Sequence, residues 1–169
     1  GDRFLDCTFG GGGYTKELLK FSKTEVIAID RDVSTIKIAK KIKENYSNRF
    51  SFFNEKFSNL ERVLKKDQKV DAIIFDLGMS SFQLLDMSRG FSFKSKEKLD
   101  MMMGLSSISA EQIINDLDEN ILILIIKILG EEKEAKKIVR NIVKARSLKR
   151  ISSVSELVKI IEISKKKNY

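Results

Sequence analysis

Four consecutive glycines, Gly10 to Gly13, follow a short apolar segment and precede a stretch with helical spacing. Glycines at a strand-to-helix turn allow positive φ angles and let backbone N–H groups approach a ligand closely. The spacing departs from the dinucleotide fingerprint, because Thr15 or Lys16 stands where its last glycine is required. No Gly-Lys-Ser/Thr follows, which excludes a phosphate-binding loop. The turn therefore predicts a nucleoside ligand with a small zwitterionic arm, and a plain flexible turn is the alternative.

Two carboxylates stand at the ends of later apolar segments. Asp30 closes E-V-I-A-I-D, 20 residues beyond Gly10, where an acid can accept both hydrogens of a ribose diol. Its alternative role is to cap a helix that is predicted to start near Val33. Asp76 follows D-A-I-I-F and can orient a cofactor or accept hydrogens from an attacking amine. The alternative for Asp76 is a plain loop acid after a buried strand.

Three later segments suggest contacts to a nucleic acid, each with a structural alternative. Arg89, Phe91 and Phe93 in R-G-F-S-F can stack an unpaired base and hold its backbone, or can anchor a long loop. Residues 101–103, three methionines, predict packing or a flexible substrate wall. The basic stretch 133–150 can bind RNA phosphates or form a solvated face.

Alternating patterns through residue 77 predict the elements that position these side chains. Strand and helix periods follow one another strictly, which favours a parallel sheet with right-handed crossovers. Parallel strands bring their carboxyl ends to one edge, where open α/β sheets bind ligands. The predicted strands are 4–9, 25–30, 49–54 and 71–77, and the predicted helices are 14–21, 33–42 and 57–64.

The pattern changes after residue 77. Residues 79–103 have weak periodicity, and loops of this length are usually functional or disordered. Capping boxes, Ser109 with Gln112 and Ser153 with Glu156, and a helix stop at Gly130 indicate helices from residue 109 onward. We predict an α/β core with an active-site loop in 1–105, an inserted helical domain in 106–164 and a basic tail in 165–169.

Composition excludes several classes of site. The chain has no histidine and one cysteine, Cys7, so we expect no metal site, no Ser-His or Cys-His nucleophile and no internal disulfide. A lone thiol and the lack of a signal-peptide pattern favour the cytoplasm, and the apolar run 121–129 is too short to cross a membrane. The net charge of +8 favours a polyanionic partner, or reflects a solvated lysine-rich surface. The abrupt ends and the absence of proline suggest a fragment of a longer protein.

The motifs taken in order closely resemble one family, the bacterial 16S ribosomal RNA cytosine-N4 methyltransferases called RsmH or MraW. They are D-C-T-F-G-G-G-G-Y, V-I-A-I-D-R-D, D-L-G-M-S-S-F-Q-L, R-G-F-S-F and K-L-D-M, and residues 130–146 resemble the family's helical insertion. The resemblance covers nearly all of the chain. It implies a class I (Rossmann-like) methyltransferase core with a parallel sheet, an inserted all-helical RNA-binding domain and S-adenosylmethionine as cofactor. It also implies 16S rRNA of the small ribosomal subunit as partner, rather than DNA or a membrane.

The resemblance also assigns residues. The family's cofactor contacts carry over onto Gly12, Gly13, Tyr14, Asp30, Phe57, Asp76 and Gln83, with Phe57 near the adenine. Asp76 is the expected catalytic residue, and substrate RNA is expected at Ser80, Ser81, Arg89, Phe91 and Phe93.

The chain departs from the family pattern at three positions and in length. Tyr14 replaces a usual histidine, Phe82 a usual proline and Met102 a usual arginine. The family also continues with further strands that complete the sheet, so the core of this chain is expected to be incomplete. Two alternatives stay open: an RNA-binding remnant that has lost catalysis, and a methyltransferase for DNA or a small molecule.

Overall fold

The computed structural model describes residues 1–165, which pack as two compact units. The sheet unit comprises Gly1–Phe82 and Met103–Leu105. The helical unit comprises Gln83–Met102 and the chain from Ser106 onward. The basic tail predicted for 165–169 lies outside the described residues, apart from Lys165.

The sheet unit contains four parallel strands in the order β3-β2-β1-β4. The strands are β1 (Arg3–Asp6), β2 (Glu25–Ile29), β3 (Phe50–Phe53) and β4 (Ala72–Ile74). Helices α1 (Gly13–Leu19) and α2 (Thr35–Tyr46) make the first two crossovers. This confirms the predicted parallel sheet with alternating helices.

Both faces of the sheet are covered at β2, which explains the continuous apolar run of this strand, whereas the edge strand β4 is largely exposed. Val26 and Ala28 point to one face and Ile27 and Ile29 to the other. The first face packs on α1 and α2, with Leu19, Ala39, Ile42, Phe9 and Phe50 buried there. The second face buries Leu5, Cys7 and Val63, with Leu60, Leu64 and Val70 packed against them.

The predicted third helix, 57–64, is wrong in type: it is a 3-10 segment, Phe57–Arg62, with a kink at Asn59. Glu55 explains the difference, because its carboxylate accepts hydrogen bonds from the Lys56 N–H at 2.8 Å and from Asn59 Nδ2 at 3.0 Å. Local side-chain bonds of this kind compete with a regular helix. The strands are also shorter than predicted, because the chain turns away directly after Asp6 and Ile74.

The helical unit contains four longer helices after the short helix α3 (Ser81–Leu85) and a 3-10 turn (Met87–Arg89). They are α4 (Ala110–Asp116), α5 (Glu119–Leu124), α6 (Ala135–Arg146) and α7 (Val154–Lys165). Both predicted capping boxes are present. A π-helical turn, Ile125–Leu129, extends α5 to Gly130, whose N–H donates to the Ile125 carbonyl at 3.3 Å.

The core of the helical unit includes one residue from the predicted loop. Leu99 is fully buried with Ile114, Leu122, Ile138, Val139, Ile142, Ile151 and Val154. Its N–H donates to the Ser152 carbonyl at 2.9 Å and its carbonyl accepts from the Glu111 N–H at 2.7 Å. Residues 83–102 therefore pack with the helices, whereas the sequence placed them with residues 1–105. None of the helices within residues 1–165 combines the length and the apolar character that a membrane span requires.

Candidate functional site

The glycine turn connects β1 to α1 and is partly bare backbone. Gly10 and Gly12 have φ angles of 50° and 73°, in the left-handed region that favours glycine. A Cβ on Gly12 would lie 2.8 Å from Ile42 Cδ1 and 3.0 Å from the Phe9 ring, so these side chains would have to shift to admit one. A Cβ on Gly11 or Gly13 would meet nothing within 4 Å. The turn therefore leaves backbone open to a ligand at two of its four glycines.

Asp30 is hydrogen-bonded to the glycine turn. Its Oδ2 accepts from the Gly10 N–H at 2.7 Å and its Oδ1 from the Asp32 N–H at 2.8 Å. Partial burial raises the pKa of this carboxyl group, and the two N–H donors oppose that rise. The alternative that Asp30 caps a helix is wrong, because α2 begins at Thr35 and it is Asp32 that receives the Ser34 N–H at 3.0 Å.

Asp6, at the end of β1, is a buried acid whose role the sequence did not reveal. Thr15 Oγ1 donates to its Oδ2 at 2.7 Å and the Thr8 N–H donates to its Oδ1 at 3.2 Å. Burial raises the pKa of Asp6, and the negative charges of Asp30 and Asp76 raise it further. The side chain ties the strand end to the first turn of α1. An acid four positions before the first glycine of the turn was the available signal.

Asp76 follows β4 and lies near the same strand ends. Its backbone N–H donates to Thr8 Oγ1 at 2.8 Å, which fixes the start of the loop after β4 beside β1. The negative charge of Asp76 raises the pKa of Asp6. Asp76 itself is exposed to solvent. Farther along this loop, Ser80 Cβ lies 3.6 Å from the position that a Cβ on Gly10 would take. The structure thus brings Asp6, Asp30 and Asp76 to one edge of the sheet, next to the glycine turn.

Phe57 forms an aromatic pair that the sequence did not reveal. Its ring packs edge-to-face against Phe75, with centroids 5.5 Å apart, although β3 and β4 are the two outer strands. Phe57 is 42% exposed and Phe75 is 50% exposed. Asn54 Nδ2 donates to the Asp30 carbonyl at 2.8 Å and so connects the ends of β2 and β3. A half-exposed aromatic surface at this edge suits a flat heteroaromatic ring.

Tyr14 lies in the first turn of α1, with its side chain 53% exposed. The N–H groups of a first helical turn have no partner within the helix, so the backbone here can donate to a ligand whatever the side chain is. The replacement of histidine therefore leaves the predicted backbone contact possible.

The remaining predicted residues belong to the helical unit, apart from Ser80 and Ser81. Gln83 is buried. Arg89 donates to the Met102 carbonyl at 2.8 Å and lies over the Phe91 ring at 5.2 Å. These contacts favour the anchoring alternative for Arg89, whereas Phe93 is 73% exposed and accessible to a base.

The R-G-F-S-F loop is held closely to its own unit at Gly90. A Cβ there would lie 2.5 Å from the Lys98 carbonyl oxygen, and φ is 74°. The Met101 N–H donates to the Arg89 carbonyl at 2.9 Å. The loop is therefore a fixed surface that presents Phe93.

Charge limits what this edge of the sheet unit can bind. Three carboxylates near one turn favour a cationic ligand or a proton donor. Within residues 1–165, no group of three His, Cys, Asp or Glu side chains is placed to hold a metal ion.

Comparison with known proteins gives a consistent result. A family model described as the MraW methylase family matches residues 1–168. The chain is 43% identical over 160 residues to a protein of Orientia tsutsugamushi (strain Boryong) named ribosomal RNA small subunit methyltransferase H, covering 95% of this chain and 51% of that protein. Proteins of the same name from Rickettsia canadensis (strain McKiel) and Ehrlichia ruminantium (strain Gardel) are 43% and 40% identical, covering 97% and 100% of this chain and 53% and 58% of theirs.

The chain spans about half the length of the curated relatives it matches. Among solved structures, an rRNA methylase from Streptococcus thermophilus gives a TM-score of 0.39 at 23% identity, over 46% of this chain and 45% of that one.

Proposed function

We propose, on the premise that this chain belongs to the MraW methylase family, that the protein containing it methylates a cytosine at N4 in 16S ribosomal RNA, with S-adenosylmethionine as donor. The observation that carries the proposal is the hydrogen bond from the Gly10 N–H to Asp30, with Asp6 and Asp76 beside it. It gives one place with an open backbone turn, a diol acceptor and excess negative charge. The names of the relatives support ribosomal RNA of the small subunit as substrate.

The residues present fit this cofactor. A carboxylate has about four lone-pair positions, so Asp30 can accept ribose hydroxyls besides its two N–H donors. The backbone at Gly13 and Tyr14 can hold the amino-acid arm, and Phe57 can pack on the adenine. The structure does not favour the predicted contact at Gly12, because Gly12 is buried and its N–H donates to the Phe9 carbonyl at 2.7 Å. The resemblance also assigns Gln83, a buried residue of the helical unit, to cofactor binding. Bound there, the cofactor supplies a methyl group on a cationic sulfonium, which three nearby carboxylates favour.

Asp76 is the proposed catalytic residue. The cytosine amino group is a poor nucleophile, because its lone pair is delocalised into the ring. A carboxylate that accepts a hydrogen bond from this amine returns electron density to the nitrogen and takes the proton as the N–C bond forms and the S–C bond breaks. Asp76 is exposed and anchored through its backbone to Thr8, so its carboxylate can meet a base that enters from solvent.

The base must leave its stack to reach the methyl donor. We propose that Phe93 stacks on RNA bases, that Arg89 and Phe91 hold the loop that presents it, and that Ser80 and Ser81 contact the substrate near Asp76. The helical unit then serves as the RNA-binding part. The cytoplasm is the proposed location of this activity, which a ribosomal substrate and a single buried thiol, Cys7, support.

The test uses the full-length protein, small ribosomal subunits that lack the modification, and S-adenosylmethionine with a labelled methyl group. We expect label at cytosine N4. Label elsewhere, or no label, contradicts the proposal. RNA binding without cofactor binding, measured by calorimetry, would instead indicate the remnant.

A matched pair of variants tests the role of Asp76. Asp71 and Asp76 flank β4 at its two ends, and both residues are exposed. Asp76→Asn should lower the transfer rate by about 100-fold or more, while the cofactor Kd rises by only roughly tenfold or less, because one of three nearby carboxylates is neutralised. Asp71→Asn should leave both quantities near their original values. Equal rates for the two variants would remove Asp76 from the chemistry.

A further inference from the structure

One face of α6 carries four cations and no acid. Helical residues are spaced by about 100°, so these four side chains fall within an arc of about 100°. All four residues are exposed: Lys136, Lys137, Arg140 and Lys144. The opposite face of the helix is buried and contributes Ile138, Val139 and Ile142 to the core of the helical unit. We call the four cations the basic face of α6.

Within the described residues, the side chains of the basic face form no ion pair or hydrogen bond, whereas neighbouring arginines do. Arg146, in contrast, donates to the Ile114 and Leu117 carbonyls at 2.8 Å each and so closes the end of α4. Arg150 pairs with Glu111 and Asp116. The charges of the basic face therefore remain available to an external anion.

Helix α2 shows that this arrangement is not simply what a lysine-rich helix gives. It also has 12 residues and four exposed lysines, which are Lys37, Lys40, Lys41 and Lys43. Those lysines spread over an arc of about 160°. Glu44 lies among them, three and four positions from Lys41 and Lys40, where opposite charges interact. The basic face of α6 is narrower and has no acid within it.

We infer that the basic face of α6 binds the phosphate backbone of the RNA substrate, an inference that rests on the proposed function. Lys136, Arg140 and Lys144 follow one another at intervals of four residues, about 6 Å along the axis. Such a row can neutralise several phosphates of one strand, which is how cations contribute sequence-independent affinity. A membrane surface fits less well, because a helix that lies in a bilayer must insert its apolar face, and α6 buries that face in its own core.

The test compares two quadruple variants of the full-length protein. One replaces Lys136, Lys137, Arg140 and Lys144 with Gln, and the other replaces Lys37, Lys40, Lys41 and Lys43 with Gln. Both remove four positive charges from an exposed helix face, so any effect of net charge is equal. The Kd for unmodified small ribosomal subunits is measured at several salt concentrations, and the Kd for S-adenosylmethionine is measured in parallel.

We expect the α6 variant to bind subunits roughly 10- to 100-fold more weakly near physiological salt, and the slope of log affinity against log salt to fall by about 3. The α2 variant should change by less than about threefold. Cofactor affinity should stay the same in both, and urea unfolding should show an intact helical unit. If the quadruple variant of α6 unfolds early, the pair Lys137→Gln and Lys144→Gln is measured instead, with about half the change in slope.

Several results would overturn the inference. Equal losses in the two variants would mean that only net charge matters, and wild-type affinity in the α6 variant would mean that the face is merely solvated. Binding of the basic face to vesicles of anionic phospholipid, without any effect on subunit binding, would assign it to a membrane. If the unmodified protein binds S-adenosylmethionine but no subunits, the proposed function itself fails, and this outcome is distinct from the others.

Discussion

The two units of this protein treat charge in opposite ways. Among the described residues, the buried carboxylates Asp6 and Asp32 and the partly buried Asp30 belong to the sheet unit. The buried polar residues of the helical unit are neutral: Gln83, Ser95 and Ser164. Burying a carboxylate costs free energy unless the carboxylate is hydrogen-bonded. Buried carboxylates at the strand ends therefore indicate a functional site in the sheet unit.

The helical unit places its ionised groups at the surface instead, and packs apolar side chains beneath them. The stability of the helical unit therefore comes from its apolar core. In the sheet unit, the carboxylates buried at the strand ends lower the stability. Four experiments test this contrast, from the largest expected effect to the smallest.

Leu122→Ala should have the largest effect on stability. Leu122 is fully buried in the helical core, and deletion of a buried leucine side chain costs about 2–5 kcal/mol through lost apolar contacts and a cavity. Urea unfolding of the full-length protein measures the change. Leu129→Ala is the matched control, because Leu129 is 79% exposed and should lose less than about 0.5 kcal/mol. Similar losses for both leucines would contradict the assignment of the core.

Asp30→Asn should weaken cofactor binding in the sheet unit. The amide keeps the shape but removes the charge and one acceptor for hydrogen bonds, so we expect S-adenosylmethionine to bind about 10- to 100-fold more weakly, as for loss of a charged hydrogen bond. Calorimetry measures the Kd. An unchanged Kd would show that Asp30 does not contact the ligand and that its role is only to hold the glycine turn.

Asp6→Asn should reveal the cost of the buried charge. The raised pKa of Asp6 means that the folded state binds its proton more tightly than the unfolded state does. The wild-type protein therefore loses stability as pH rises from the ordinary pKa of Asp through the raised value, and a variant that cannot ionise avoids this loss. The stability of Asp6→Asn relative to wild type should increase as pH rises above the ordinary pKa of Asp.

Urea unfolding at several pH values measures this difference. Thr15→Val supplies the control, because it removes the donor to Asp6 and leaves the charge in place, so it should be less stable at neutral pH. A difference between Asp6→Asn and wild type that does not vary with pH would show that the buried charge has no cost.

Tyr14→His should have the smallest effect. The Tyr14 side chain is exposed, and the expected contact comes from backbone in the first turn of α1. The Kd for S-adenosylmethionine should change by less than about threefold, or about 0.6 kcal/mol. A large gain in affinity would show that the histidine usual in the family makes a side-chain contact that this chain has lost.

The sequence could predict the sheet and the meeting of its acids, because parallel strands bring their carboxyl ends to one edge. It could not predict the hydrogen bond from the Gly10 N–H to the Asp30 carboxylate, which depends on the positive φ angle of Gly10. The role of Asp6 was missed for a similar reason: its partners Thr8 and Thr15 are ordinary residues until the turn brings them together.

The segment around Leu99 shows another limit of periodicity. Its pattern is weak, because its structure comes from backbone bonds to residues that follow much later, such as Ser152. Side-chain spacing carries no information about bonds of this kind. The sequence therefore identified the K-L-D-M motif, but gave no reason to place it in the core of the helices.

Leu99 also determines where the chain can be cut if the helical unit is to be grafted onto another protein. A graft that begins at residue 106 would omit this side chain and the backbone bonds that fasten it to Ser152 and Glu111, and would expose the apolar pocket that it fills. A fragment that starts at Gln83 includes Leu99 and therefore keeps this pocket filled. Protein engineers who wish to move this module onto another sheet should therefore cut before the R-G-F-S-F loop rather than after it.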